Sequence, residues 1–181
     1  MLEATVYDDM SYNTYNDYLK WEDRWELIDG IAYAMSPAPY PRHQKIVAHI
    51  WSELDKNIEC ENCEVYLSPI DWKIDERTVV QPDVAIFCEE TTRQYFSQTP
   101  PLVVEVLSKS TALKDVTTKY NLYERMGVEF YIIIEPSTEL TDIFRLVDGK
   151  YQLIKKFTTE DSYRFELGDE CSSEVDFAKV F

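Results

Sequence analysis

The sequence predicts a mixed α/β fold, a β-sheet flanked by helices with a β-hairpin toward each end. Three observations carry that expectation. Two apolar runs, Leu102–Leu107 and Val128–Ile134, enclose a helical stretch, Thr111–Met126, and a strand–helix–strand order of this kind forms a right-handed crossover between parallel strands. Asp29-Gly30 and Asp148-Gly149 each separate two strand-like segments, which is the strongest short-range hairpin signal. Ile46, Val47, Ile50, Leu54 and Ile58 recur at helical spacing, so that helix has one apolar face to lay on a sheet.

Taken in order, residues 14 to 22 read as a short helix, followed by a hairpin of Trp25–Asp29 and Ile31–Met35. The Pro-rich segment Pro37–Pro41 feeds a helix over residues 42 to 59, and Val65–Ile74 reads as extended with a kink near Pro69. Val84–Cys88 and Leu102–Leu107 are strands separated by a polar stretch that includes a helical turn. The second is uniformly apolar apart from one acid, as suits a central strand covered on both faces. Gly127 stops the helix Thr111–Met126, Pro136 ends the strand Val128–Ile134, and Leu140–Val147 with Tyr151–Phe157 form the second hairpin. The expected organisation is one domain over residues 1 to 181.

Composition narrows the function. Eighteen Lys and Arg against 34 Asp and Glu give a net charge of −16 over 181 residues, which argues against a polybasic nucleic-acid binder because phosphate contacts require clustered cations. Four Trp, 13 Tyr and 8 Phe are too many rings for a disordered chain of this charge. Met1–Tyr12 has no basic start followed by an apolar stretch, and no apolar run is long enough to cross a bilayer. A cytoplasmic protein is expected, with no membrane association. The cysteines, Cys60, Cys63, Cys88 and Cys171, include a single C-x-x-C. A zinc ribbon needs a second such pair, so reduced structural thiols are expected.

The informative residues are charges on surfaces that should be apolar. Glu105 sits inside Leu102-Val103-Val104-Glu105-Val106-Leu107, and a buried carboxylate needs a partner or a proton. Asp83 opens the preceding strand after Pro82. If the strands are neighbours the two acids converge, and a divalent cation between them makes their repulsion tolerable. Otherwise Asp83 is a turn residue and Glu105 reaches solvent. On a helical wheel, Lys119 lies at the centre of a stripe formed by Ala112, Val116, Leu122, Tyr123 and Met126. Asp115, one turn earlier, offers Lys119 an ordinary ion pair, whereas Lys114 points away from the stripe and is expected to be solvated.

Pro82-Asp83, Glu105 on the next core strand and a nearby lysine resemble the PD-(D/E)XK superfamily of metal-dependent nucleases. A longer set of segments resembles one branch, the Uma-two family of restriction-endonuclease-like proteins. These are Trp25–Gly30, Met35-Ser36-Pro37-Ala38-Pro39 with His43, Gln81-Pro82-Asp83, Val104–Ser108 with Ser110, Lys119, and Gly127–Tyr131, in order over about residues 14 to 157. One departure matters: the superfamily lysine stands two residues after the glutamate, where this chain has Leu107. The family resemblance implies that the lysine has moved to Lys119, with Lys109 as the fallback.

The resemblance implies a restriction-endonuclease-like fold and hydrolysis of phosphodiester bonds in DNA. Asp83 and Glu105 would bind Mg²⁺ or Mn²⁺ through hard oxygens, aided by the backbone carbonyl of Val106. Lys119 would orient or acidify the attacking water and neutralise phosphate charge, with Glu26 as the catalytic site's extra N-terminal carboxylate, supporting the metal directly or through water; a solvated strand carboxylate is the alternative for Glu26. His43, on the apolar face of the second helix, and Gln81 are candidates for substrate binding, as is Lys109; a satisfied core histidine is the commoner outcome. Lys109, Lys114, Lys119 and Arg125 cluster in sequence near the site, and a homodimer would align two such edges along a duplex. The competing reading is a catalytically inactive member of the fold that serves as an interaction module, with Glu105 protonated or paired to Lys119.

Overall fold

A computed structural model describes residues 12–35, 40–168 and 171–181. After a short helix α1 (Tyr15–Tyr18), the hairpin β1 (Trp25–Ile28) and β2 (Ile31–Ala34) turns at Asp29-Gly30, where both residues have positive φ, 50° and 82°. That is the backbone a two-residue hairpin of the right twist requires. A Cβ on Gly30 would also lie 2.7 Å from the Cβ of Tyr12, so glycine is demanded twice over. Residues 36 to 39, which include most of the Pro-rich motif, lie outside the described residues.

Helix α2 (Pro41–Lys56) starts with proline in its first turn and buries Ile46, Val47, Ile50 and Leu54. It ends three residues before the expected boundary. Strands β3 (Glu64–Leu67) and β4 (Asp71–Asp75) flank the expected kink at Ser68-Pro69, and they belong to different sheets. β5 (Thr78–Val80) pairs with β4 and β1, and β6 (Val84–Phe87) with β3. The polar stretch that follows contains no helical turn. It holds the two-residue strand β7 (Tyr95–Phe96), which pairs parallel with β4.

β8 (Leu102–Val106) leads into a continuous helix, α3, made of Ala112–Lys114, a π-helical turn Asp115–Lys119, and Tyr120–Met126. Gly127, with φ 82°, closes it in the left-handed conformation. β9 (Phe130–Glu135) then runs parallel to β8, as the crossover predicts. The hairpin β10 (Leu140–Val147) and β11 (Lys150–Phe157) follows. A last hairpin, β12 (Ser162–Glu166) and β13 (Ser172–Asp176), with a 3₁₀ turn Phe177–Lys179, lies beyond the segments that the sequence patterning resolved.

Two sheets result, of order β2-β1-β5-β4-β7 and β11-β10-β9-β8-β6-β3, besides the β12–β13 pair. Alternation sorts the central strands of the six-stranded sheet. Leu102, Val104, Val106, Phe130, Ile132 and Ile134 face α2 and the last hairpin. Val103, Ala85, Phe87, Tyr131 and Ile133 face α3 and the five-stranded sheet. The expectation of free thiols is overturned, because Cys60 pairs with Cys171 and Cys63 with Cys88. Spacing along the chain could not show this, since the partners are 111 and 25 residues apart.

Candidate active site

Antiparallel pairing of β6 with β8 places Val84 opposite Val104, so the next pair along the ladder is Asp83 opposite Glu105. Glu105 projects toward α3, the face of Val103, while Asp83, just before β6, turns its carboxylate to the Val106 backbone N–H and to His43 of α2. Glu105 is 3 % exposed. Its Oε1 accepts hydrogen bonds from Lys119 Nζ at 2.8 Å and from the Tyr123 hydroxyl at 2.8 Å. Lys119, 2 % exposed, lies 2.8 Å from Glu26 Oε1 and 3.7 Å from Asp115 Oδ1. Lys119 thus ties β8 of one sheet to β1 of the other.

Glu26 is fully buried rather than solvated. It has the same parity along β1 as Ile28, which faces this core, and it accepts a hydrogen bond from the Gln81 amide at 2.9 Å. Lys114 also pairs with Glu26. The expectation that Lys114 is solvated therefore fails, as does the placement of Val116 on the buried stripe, since Val116 is 42 % exposed. The π-helical turn is the reason. A wheel of constant pitch slips where the helix widens from Asp115 to Lys119, and such turns recur at functional sites.

Burial works against every charge in this cluster, and the ammonium groups decide which acids keep theirs. Burial pushes the Glu105 carboxyl well above its ordinary value; Lys119 opposes this, while Asp115, Asp83 and Glu26 add to it. For Glu26 burial also acts upward, but Lys119 and Lys114 together outweigh it and hold the carboxyl below its usual range. Asp115, 1 % exposed, is raised chiefly by burial, and its Oδ1 lacks a hydrogen-bond partner among the described residues. Burial opposes protonation of Lys119, yet Glu105, Glu26 and Asp115 raise its pKa well above the ordinary value.

Asp83 Oδ2 accepts the Val106 amide at 2.9 Å and lies 3.4 Å from His43 Nε2. The same His43 nitrogen donates to the Val106 carbonyl at 2.8 Å. Burial lowers the His43 pKa, but its bond and charge contact with Asp83, and the Val106 carbonyl, leave it raised overall. Gln81 is held on both ends of its amide: its oxygen accepts from Arg24, and its nitrogen donates to Asp71 at 2.8 Å and to Tyr18. Lys109 is exposed and lines an adjoining groove of about 560 Å³ with Tyr40, Arg42 and Ser137. Arg125 pairs at the surface with Asp29 at 3.0 Å.

Between the acids lies a cavity of about 70 Å³ bordered by Asp83, Glu105, Asp115, Lys119, His43 and Arg24. An ordered water needs ~10–15 Å³ of such volume, so an ion with a few waters fits and a nucleobase does not. Sequence reasoning treated Asp115 only as a partner for Lys119 and Tyr123 only as part of the apolar stripe, and passed over Arg24. The i, i+4 pairing of Asp115 with Lys119 inside an apolar stripe was the available signal for the first.

The family model described as "Putative restriction endonuclease", Uma2, matches residues 15–172. The chain belongs to the Uma2 family. Within this setting, an uncharacterised protein of Synechocystis sp., slr1290, is 29 % identical over 159 residues, spanning 83 % of this chain and 82 % of its own. A crystal structure titled as a putative nuclease belonging to DUF820, from Anabaena variabilis, superposes with a TM-score of 0.64 at 18 % identity, covering 77 % of this chain and 83 % of that one. That likeness shows the restriction-endonuclease-like fold. No helix among the described residues is long and apolar enough to cross a membrane. For this chain the family's description supports a nuclease-like function.

Proposed function

We propose that this chain is a divalent-metal-dependent endonuclease that hydrolyses phosphodiester bonds in DNA. The supporting observation is the contact of Lys119 with both Glu105 and Glu26 at one end of β8, with Asp83 lining the same cavity of ionic size. The donor set fits Mg²⁺ or Mn²⁺. Four carboxylates, Asp83, Glu26, Glu105 and Asp115, stand against the two ammonium groups of Lys114 and Lys119. With the Arg24 guanidinium, which borders the same cavity, and every acid ionised, the difference is 4 − 3 = 1 negative charge with His43 neutral, or zero with His43 protonated. Hard oxygen ligands and a cavity that retains water are what these cations prefer.

Asp83 and Glu105 would hold the ion, with Asp115 and the Val106 carbonyl beside them. When bound, the ion supplies positive charge to a phosphate oxygen and lowers the pKa of a coordinated water. Lys119 keeps a positive charge at the site where phosphate charge develops. Glu26 and Tyr123 are positioning residues, the first fixing the Lys119 ammonium and the second fixing Glu105. His43 orients Asp83 through its shared contact with Val106. Gln81 joins the site to the Arg24 and Asp71 network, and Lys109 in the adjoining groove offers a phosphate contact. A homodimer would set two such grooves along a duplex.

The test is nicking of supercoiled plasmid by purified protein with Mn²⁺. Cleavage is expected to disappear with chelator and in Asp83→Asn and Glu105→Gln, both checked for folding. Cleavage that persists in both variants would overturn the assignment. One observation favours the inactive-module reading: Lys119 and Tyr123 already satisfy Glu105 without an ion. Calorimetric titration with Mn²⁺ separates the two readings, since binding lost in Glu105→Gln supports the nuclease and absence of any binding supports the module.

A further inference from the structure

Away from the carboxylates, all four cysteines of the chain converge on one place. Two ladders end in cysteine pairs. β3 and β6 place Glu64 opposite Phe87, so the next pair outward is Cys63 with Cys88. An isolated bridge joins Glu59 to Ser172, and the next pair along it is Cys60 with Cys171. The two pairs abut: Cys171 Sγ is 3.9 Å from Cys63 Sγ, and the sulfurs of Cys60, Cys63 and Cys171 all lie within 4.8 Å of one another. A C-x-x-C needs a second pair of thiols to form a structural zinc site, and folding supplies it from Cys88 and Cys171, which are far apart in sequence.

We propose that Cys60, Cys63, Cys88 and Cys171 form a tetrathiolate site that takes Zn²⁺ when its sulfurs are reduced, the two disulfides being its oxidised, metal-free form. Zinc bound to sulfur at ~2.3 Å in a tetrahedron separates neighbouring sulfurs by about 3.8 Å. The Cys63–Cys171 contact already has that spacing; the two S–S bonds must open, and Cys88, outside the three sulfurs that lie within 4.8 Å of one another, must close on that group. The conversion balances. Two equivalents of a dithiol reductant transfer four electrons to the two S–S bonds and leave as two disulfides. The four thiols formed then lose four protons as Zn²⁺ takes the thiolates.

Ligand chemistry keeps this site apart from the proposed active site, since thiolates select zinc and carboxylates with water select magnesium or manganese. Its placement gives it a structural task. The ligands come from the loop after α2, the starts of β3 and β13, and the end of β6. The ion would therefore clamp the last hairpin, whose Phe165 and Val175 cover one face of the six-stranded sheet, to that sheet's β3 edge.

The experiment reduces the full chain with a phosphine under anaerobic conditions, removes metal, and titrates with Co²⁺ as an optical probe. Expected are one ion per chain, the intense sulfur-to-metal charge-transfer band of a tetrathiolate site, and its bleaching by Zn²⁺. The band should survive in Asp83→Asn, which affects only the oxygen site. Cys88→Ser and Cys171→Ser should each weaken Co²⁺ binding by about tenfold or more. A Co²⁺ spectrum without thiolate charge transfer, or affinity unchanged in either cysteine variant, would overturn the proposal. Should the variants not fold, alkylation of the reduced natural chain decides: zinc is expected to protect four thiols, and equal labelling with and without zinc refutes the site.

Discussion

The two faces of the six-stranded sheet are built from the same strands and follow opposite rules. Toward α2, β8 and β9 present Leu102, Val104, Val106, Phe130, Ile132 and Ile134, side chains that are all apolar. Toward α3, the intervening positions of those strands present Val103, Glu105, Tyr131 and Ile133. The tyrosines on this side have polar tips with partners, Tyr123 to Glu105 and Tyr131 to the carbonyl of Asp115 within the π-helical turn. The apolar face holds the sheet in place, so the other can carry Glu105 against Glu26, Asp115 and two lysines near one strand end. A buried charge cluster of this kind adds little net stability.

The largest test of this contrast removes the shared cation. Lys119→Ala leaves Glu26, Glu105 and Asp115 with one fewer ammonium in a dry setting, and breaking a buried pair from one side costs about 3–5 kcal/mol. Urea unfolding in the presence of chelator should show that loss. A cost below about 1 kcal/mol, the range of exposed pairs, would mean that water reaches the cluster and that the face is not dry.

Two adjacent residues of β9 sharpen the comparison, because they point to opposite faces. Tyr131→Phe deletes a buried hydroxyl and the hydrogen bond it donates to the Asp115 carbonyl, an expected loss of about 1 kcal/mol. Ile132→Val removes one methylene from the apolar side, an expected loss of about 0.5–1.5 kcal/mol. Both are read as shifts in the urea midpoint at constant slope. If the tyrosine change costs nothing, hydrogen bonding does not organise the face toward α3.

Legibility in the sequence followed the same division. Glu105 stood out because a single acid interrupted an apolar strand, and Lys119 because it centred an apolar stripe; both are buried and in contact. The hairpins were legible because Asp-Gly dictates positive φ at two successive residues. What stayed hidden depended on distant contacts or on departures from regular pitch. Lys114 was misplaced because the π-helical turn adds a residue to the wheel. Arg24, Asp71 and Tyr18 meet Gln81 only after β1, β5 and β4 line up in one sheet, and the cysteines pair across ladders that no local pattern reveals. The β12–β13 hairpin lacks the Asp-Gly punctuation of the other two and carries Gly168 in a longer connection.

The smallest expected change in stability, and the one with a distinctive sign, comes from Glu105→Gln. The amide keeps an acceptor for Tyr123, and Lys119 keeps Glu26, so metal-free stability at neutral pH should be unchanged or higher. The pH dependence follows from the raised carboxyl of the natural chain. Because the folded state binds the Glu105 proton more tightly than the unfolded state, with its ordinary value of 4.5, stability falls as pH rises above that value toward the folded pKa. Glutamine removes this loss. The difference between variant and natural protein should therefore move in the variant's favour as pH climbs from about 4.5, measured by urea unfolding in chelator. A difference that moves the other way would mean that Lys119 holds Glu105 ionised throughout, and that the face toward α3 gains stability from its charges.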